Sequence, residues 1–201
     1  MTFPNQLSVL RILLSPVFYF MFLSDNLFIK RLSLLVFLIA VLTDWYDGWH
    51  ARKFRSFSRF GTFLDPLADK VLTSFSFILF YSLNIVYLWM VIIIICRDIL
   101  ITLLRSYDEF KGYSFKTSII AKTKTFIQMS YIFLILICLL LLTYDIDDGF
   151  GNLLRNFLTR TNPVNFLLIF FVTLLTAYTG ISYFFQNKIR KIENIKEENN
   201  N

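Results

Sequence analysis

The stretch DWYDGWHARKFRSFSRFGTFLDPLADK, residues 44 to 70, concentrates charge in a chain otherwise dominated by apolar runs. Its four aspartates stand at helical spacings: Asp44 and Asp47 are three apart, Asp65 and Asp69 four apart. Each pair therefore falls on one face of a helix. Between the pairs, Arg52, Lys53, Arg55 and Arg59 form a short basic connector. The flanking sequence decides what such a cluster is for.

That flanking sequence is apolar. The 201 residues are 56% hydrophobic and only 17% charged, and the mean hydropathy is positive, which is too apolar for a soluble domain of this size. A bilayer core takes about 20 helical residues. Six runs approach that length once their polar ends are trimmed: residues 7 to 23, 32 to 49, 62 to 82, 86 to 105, 123 to 143 and 164 to 186. The expected fold is an all-α integral membrane protein with six transmembrane helices and a polar active-site cavity facing the cytoplasm. Residues 1 to 187 read as one membrane domain and residues 188 to 201 as a charged cytoplasmic tail that frays from a helical stub. Pro4, Asn5 and Arg11 precede or interrupt the first run, and no small-residue cleavage site follows near Ser24, so it reads as mature structure. Cys96 and Cys138 lie in separate apolar runs without disulfide or zinc spacing and read as small core residues.

The formal charge of +6 is unevenly placed. Cations gather in residues 50 to 60, in residues 105 to 124 and in the tail, all on one side if six helices alternate. The other side holds Lys30 and Arg31, a sparse turn at Asn84, and residues 143 to 163, read as a loop, where Asp145, Asp147 and Asp148 offset Arg155 and Arg160. The positive-inside tendency then puts both ends of the chain and the aspartates on the cytoplasmic side, most naturally of a bacterial inner membrane. The positive charge is thus an orientation signal, and no nucleic-acid partner is expected.

Ionisable groups at membrane depth cost about 2.5 to 3.5 kcal/mol each on insertion scales, so a cluster of them normally faces a watery cavity and has a task. The second and third helices, joined by a short turn, are expected to be antiparallel neighbours whose aspartate faces converge. Oxygen ligands without His or Cys favour Mg²⁺, Mn²⁺ or Ca²⁺, and four carboxylates suffice to bridge two ions. Beside a diphosphate, two such ions would activate entering and leaving oxygens. Gly48 and Gly61 flank the carboxylates and allow close approach. The layout suits phosphoryl transfer.

The full pattern is Asp44-x-x-Asp47-Gly48-x-x-Ala51-Arg52, eight residues, then Gly61-x-x-x-Asp65-x-x-x-Asp69. It resembles, at every fixed position, the signature of the CDP-alcohol phosphatidyltransferases. The resemblance implies a six-helix homodimer in which an alcohol attacks a CDP-linked lipid and CMP leaves. It further implies that Asp44, Asp47, Asp65 and Asp69 hold Mg²⁺ or Mn²⁺, as two ions, with Asp69 also the general base. Gly48, Ala51, Arg52, Ser58 and Gly61 would line the CDP-lipid site. An alcohol of high pKa needs such a base within hydrogen-bond reach, and Arg52 offers a planar fork to phosphate.

The acceptor is read from cations outside the signature. Arg97 stands inside VIIIICRDILITLLR, two turns below Arg105, where it snorkels or faces the cavity. Arg97, Arg105, Lys122 and Lys124 together suit a dianionic phosphate. PNQLSVLR, TDWYDG with LDPLADK, and RDILITLLR with AKTKTFIQM also resemble the phosphatidylglycerophosphate synthase branch of the family, although Asp98 stands where Glu is common. That branch implies CDP-diacylglycerol and sn-glycerol 3-phosphate as substrates, with phosphatidylglycerol phosphate and CMP as products. A cardiolipin synthase is the closest alternative, and its acceptor, phosphatidylglycerol, carries no phosphomonoester for those cations.

Other readings compete. The aspartates could form only salt bridges with Arg52, Arg55, Arg59 and Lys70, Arg97 could pair with the neighbourhood of Asp98, and Lys122 and Lys124 could be ordinary positive-inside residues. A cation channel or transporter would need carboxylates along its whole path, and the outer helix halves have none. An inactive scaffold has no physical need for four like charges together.

Overall fold

The computed structural model describes the backbone of residues 3–54, 59–110, 119–144 and 147–198, and the side chains of residues 6–43, 65–108, 120–144 and 147–183. Those residues form seven helices: α1 (Phe3–Phe22), α2 (Leu27–Phe54), α3 (Arg59–Ser82), α4 (Leu88–Phe110), α5 (Ile119–Leu141), α6 (Asp148–Phe157) and α7 (Pro163–Glu198). The six apolar runs correspond to α1 to α5 and α7. Among the described residues, Ile120–Leu141 of α5 and Pro163–Tyr183 of α7 are long and apolar enough to cross a membrane, and Gln6–Phe22 is a shorter apolar helix. Charge interrupts two of the other helices: Asp65, Asp69 and Lys70 lie in the first half of α3, and Arg97, Asp98 and Arg105 in α4.

One expectation needs correction. Residues 143 to 163 are not loop throughout: they contain α6, which buries Gly151 and Leu154, with Leu158 buried just beyond it. The turn-forming Asp, Asn and Gly residues there hide an apolar set at helical spacing, and burial of that set outweighs weak local propensity. α7 runs on through the charged residues after 187 to Glu198.

α1 lies against both α2 and α3, α4 against α3 and α7, and α5 chiefly against α7. Direct contact between α2 and α3 is slight among the described residues, so α1 does much of the bridging that was expected of the α2–α3 pair itself. Phe18, Phe37, Phe77, Phe80, Met90, Ile132 and Ile169 fill the core. Phe77 stacks on Tyr131, and Phe18 packs on Phe37 across α1 and α2. Large apolar residues such as Leu13, Phe20, Phe126, Leu167 and Ile181 face outward, an apolar exterior suited to lipid rather than water. Cys138 is buried as expected, whereas Cys96 is exposed on that exterior, because α4 turns it away from the core side occupied by Ile94 and Asp98.

Buried hydroxyls are satisfied within their own helices: Ser15 donates to the Arg11 carbonyl, Ser76 to that of Leu72 and Thr173 to that of Ile169. This disposes of the hydroxyls where no water competes. Connections between helices tie one end of the bundle together. Arg31 Nε donates to Thr143 Oγ1 at 3.1 Å and its guanidinium lies over the Tyr144 ring. Asn84, in the left-handed region at φ 58°, accepts from the Arg160 amide at 3.1 Å. Asn tolerates that conformation better than most residues, which suits it to the tight α3–α4 turn. The segments at residues 31, 84, 143 and 160 therefore share one end, leaving the α3 aspartates to the other.

Candidate active site

At that other end α1, α3, α4, α5 and α7 contribute polar side chains. Asp65 and Asp69 stand one turn apart on α3, about 6 Å along its axis. The Ser8 hydroxyl donates to Asp65 Oδ1, so α1 reaches directly into the aspartate set. Arg11, one turn further along α1, is fully buried on the same face as Ser8. Asp69 is 35% exposed, and its Oδ2 lies 3.4 Å from Lys70 Nζ.

Asp44 and Asp47 lie in the helical span of α2, but their side chains are outside the described residues, as are those of Ala51 and Arg52. Gly48 belongs to the same helical span, Gly61 to the start of α3, and Ser58 lies outside the described residues altogether. Among the described residues no group of three His, Cys, Asp or Glu side chains forms. The donors that are described are two carboxylates on one helix turn, part exposed, with Ser8 holding one oxygen of Asp65. Such an oxygen-only donor set fits a hard divalent cation, with Asp44 and Asp47 the groups that would complete it.

The second cluster centres on a residue the sequence reading treated only as Arg97's neighbour. Asp98 is 2% exposed and accepts from Lys124 Nζ at 2.5 Å and Arg97 Nη1 at 3.0 Å, both on Oδ1. Its Oδ2 accepts from Gln128 Nε2 at 3.1 Å and faces Lys70 Nζ at 3.9 Å. Lys124, expected among the cations for the acceptor phosphate, is 1% exposed and turned onto this carboxylate. Arg97 does pair with Asp98, as the competing reading anticipated, yet its buried Nε has no hydrogen-bond partner among the described residues. The Nε of Arg105 is likewise buried without one, and Lys122 is exposed. A Cβ added at Gly180 of α7 would come within 3.0 Å of Arg97 Cγ. Beyond Gly180, Tyr183 donates to Asp108 Oδ2 at 3.1 Å, so the last helix also borders this region.

Three cations thus meet one carboxylate. Among the described residues, two buried guanidinium donors, Arg97 Nε and Arg105 Nε, have no hydrogen-bond partner, an arrangement that suits an anion. Lys124 and Gln128, four apart on α5, were legible as polar interruptions of an apolar helix, but their common target was not.

Comparison with known proteins agrees with this chemistry. Residues 1–175 match the family model described as CDP-alcohol phosphatidyltransferase. A CDP-diacylglycerol–glycerol-3-phosphate 3-phosphatidyltransferase of Rickettsia typhi is 30% identical over 181 residues, covering 90% of this chain and 94% of that protein. Proteins of the same name from Bacillus subtilis and Salmonella typhimurium are 35% and 37% identical over 138 and 136 residues, each over 63% of this chain and 72% and 71% of their own lengths. Both the aspartate signature and the Asp98 cluster fall inside the matched residues, and the chain belongs to the CDP-alcohol phosphatidyltransferase family of membrane enzymes.

Proposed function

We propose that this enzyme transfers the phosphatidyl group of CDP-diacylglycerol to sn-glycerol 3-phosphate, releasing phosphatidylglycerol phosphate and CMP. The observation that supports the acceptor choice is the pair of buried guanidinium nitrogens, Arg97 Nε and Arg105 Nε, that lack a hydrogen-bond partner among the described residues, with Lys70 linking Asp69 to the Asp98 that Arg97 engages. A phosphomonoester would complete it, with Arg97, Arg105, Lys122 and Lys124 as the acceptor-phosphate set, whereas the phosphodiester of phosphatidylglycerol offers one charge fewer. The names of the relatives point to the same two substrates.

In the reaction a free hydroxyl of glycerol 3-phosphate attacks the lipid-side phosphorus of the donor. The new P–O bond forms as the diphosphate bridge breaks, the leaving electron pair goes to CMP, and Asp69 takes the hydroxyl proton. Gly48, Ala51, Arg52, Ser58 and Gly61 would line the CMP side. Asp44, Asp47, Asp65 and Asp69 would hold Mg²⁺ or Mn²⁺, as two ions, which supply charge stabilisation to the entering and leaving oxygens. Ser8 orients Asp65 within that set, and the acyl chains remain in lipid beside the helices.

The proposed topology has six spans, α1 to α5 and α7, with α6 on the outer side. The aspartates and both ends of the chain face the cytoplasm of a bacterial inner membrane, and the enzyme works as a homodimer. The positive-inside distribution of cations supports this orientation.

The direct test is CMP release from CDP-diacylglycerol by the purified protein in detergent. Glycerol 3-phosphate, phosphatidylglycerol, serine, inositol phosphate and inositol are supplied separately, with Mg²⁺ or Mn²⁺ or with a chelator. Release with glycerol 3-phosphate that a chelator stops supports the reading. Release with phosphatidylglycerol alone makes the chain a cardiolipin synthase, and release with the chelator present removes the metal from the account.

A further inference from the structure

Asp98 is engaged by four side chains among the described residues, and none of the chemistry proposed above uses it. Its two oxygens gather Arg97 from its own helix, Lys70 from α3, and Lys124 and Gln128 from α5. Lys70 in turn stands 3.4 Å from Asp69. Three helices are therefore pinned at one buried point that connects the base to the acceptor cations. As a device for stability alone this is a poor choice, because well-packed apolar residues usually do as well as a buried ion cluster. As a device for placement it does what apolar packing cannot. Long cationic side chains at membrane depth otherwise snorkel toward the interface.

The geometry at Arg97 is specific. Asp98 engages Nη1, while Nε is buried with no hydrogen-bond partner among the described residues. A guanidinium can grip phosphate bidentately through Nε and Nη2, and the bond from Nη1 to Asp98 uses neither of those nitrogens. Arg97 packs closely on Gly180 of α7, where a Cβ would lie 3.0 Å from its Cγ and 3.7 Å from its Nε.

We propose that Asp98 is the positioning residue of the acceptor site: it fixes Arg97 and Lys124 at one point, and through Lys70 it fixes that point relative to Asp69. Asp98 does not touch the acceptor, since both its oxygens are engaged by the protein. Gln128 steadies it without adding charge. The inference rests on the phosphomonoester reading of the acceptor given above. Its benefit is pre-organisation: the cations are held before the acceptor arrives, so acceptor binding does not have to order them.

The test measures KM for glycerol 3-phosphate and for CDP-diacylglycerol separately, on the full chain in detergent with Mg²⁺, alongside thermal melting. Gln128→Met keeps charge and volume and should raise the acceptor KM several-fold while leaving the donor KM and the melting temperature nearly unchanged. Asp98→Asn should raise the acceptor KM about tenfold or more, the order seen when an outer partner of a site residue is lost, and Asp98→Glu should recover most of it. Should Asp98→Asn fail to fold, Gln128→Met and Asp98→Glu still decide. Equal movement of both KM values, or a fall in kcat alone in folded variants, overturns the positioning role. If the unaltered chain instead uses only an alcohol without a phosphomonoester, the acceptor reading falls and this inference falls with it.

Discussion

Ser8 of α1 donates its hydroxyl to Asp65 of α3, joining positions 57 residues apart in the chain. Ser8 is fully buried, so no water stands ready to replace it. Removing the hydroxyl frees Asp65 to turn away from the metal that it would hold in the proposed reaction. Ser8→Ala should lower turnover at saturating substrates about tenfold, and should raise the Mg²⁺ or Mn²⁺ concentration giving half-maximal rate. Ser8→Thr should retain most of the activity. A metal dependence unchanged in Ser8→Ala would show that the hydroxyl does not orient Asp65.

Asp69 is the more exposed partner of the α3 pair and the one in contact with Lys70. Asp69→Asn keeps the size and removes the basic oxygen. Turnover should vanish while CDP-diacylglycerol binding, followed by equilibrium dialysis or fluorescence, stays measurable. A near-normal rate would put the base elsewhere.

Arg97 combines one ion pair with a buried Nε that has no hydrogen-bond partner among the described residues. Arg97→Ala should raise the acceptor KM at least about tenfold while the donor KM hardly moves, and Arg97→Lys should rescue little, since an ammonium has no planar fork. Equal effects on both KM values would place Arg97 outside the acceptor pocket.

Gly180 offers a gentler perturbation of the same guanidinium. The added Cβ of Gly180→Ala would sit 3.0 Å from Arg97 Cγ, so the side chain must yield by a few tenths of an ångström. The expected result is a few-fold rise in acceptor KM with little change in melting temperature. Gly180→Val should be worse, and a normal acceptor KM in both would show that Arg97 has room to adjust.

Asn165 provides the contrasting case. It is fully buried, accepts from the Tyr131 hydroxyl at 2.9 Å, and donates to the carbonyls of Ile85 at 2.9 Å and Thr159 at 3.3 Å. It precedes Gly180 by fifteen residues of α7, about 22 Å along the axis. Asn165→Leu should lower the melting temperature in detergent, with a loss on the order of 1–2 kcal/mol. Both KM values should stay unchanged, and a raised acceptor KM would reveal coupling between the two ends of the bundle.

The features legible in the chain are those set by local geometry. Run length identified the helices, because a bilayer and a helix have fixed dimensions. The spacing of Asp65 and Asp69 placed them on one face, because the helical period is a property of the backbone. The signature from Asp44 to Asp69 indicated the chemistry without any knowledge of packing.

Tertiary structure decided the rest. Lys124 and Gln128 reach Asp98 from 26 and 30 residues away, and Ser8 reaches Asp65 from 57. Such meetings depend on the rotation and depth of one helix against another, which no repeat within a single helix specifies. The same holds for Gly180, whose missing side chain matters only because Arg97 passes it, and for α6, where burial of Gly151 and Leu154 overrides residues that favour turns. Sequence by itself determined the six long apolar helices and what chemistry the aspartates can support. Only the packing of α1, α3, α4, α5 and α7 decided which polar side chains share a buried charge, because a buried ion must be paired by whichever helix brings a partner within reach.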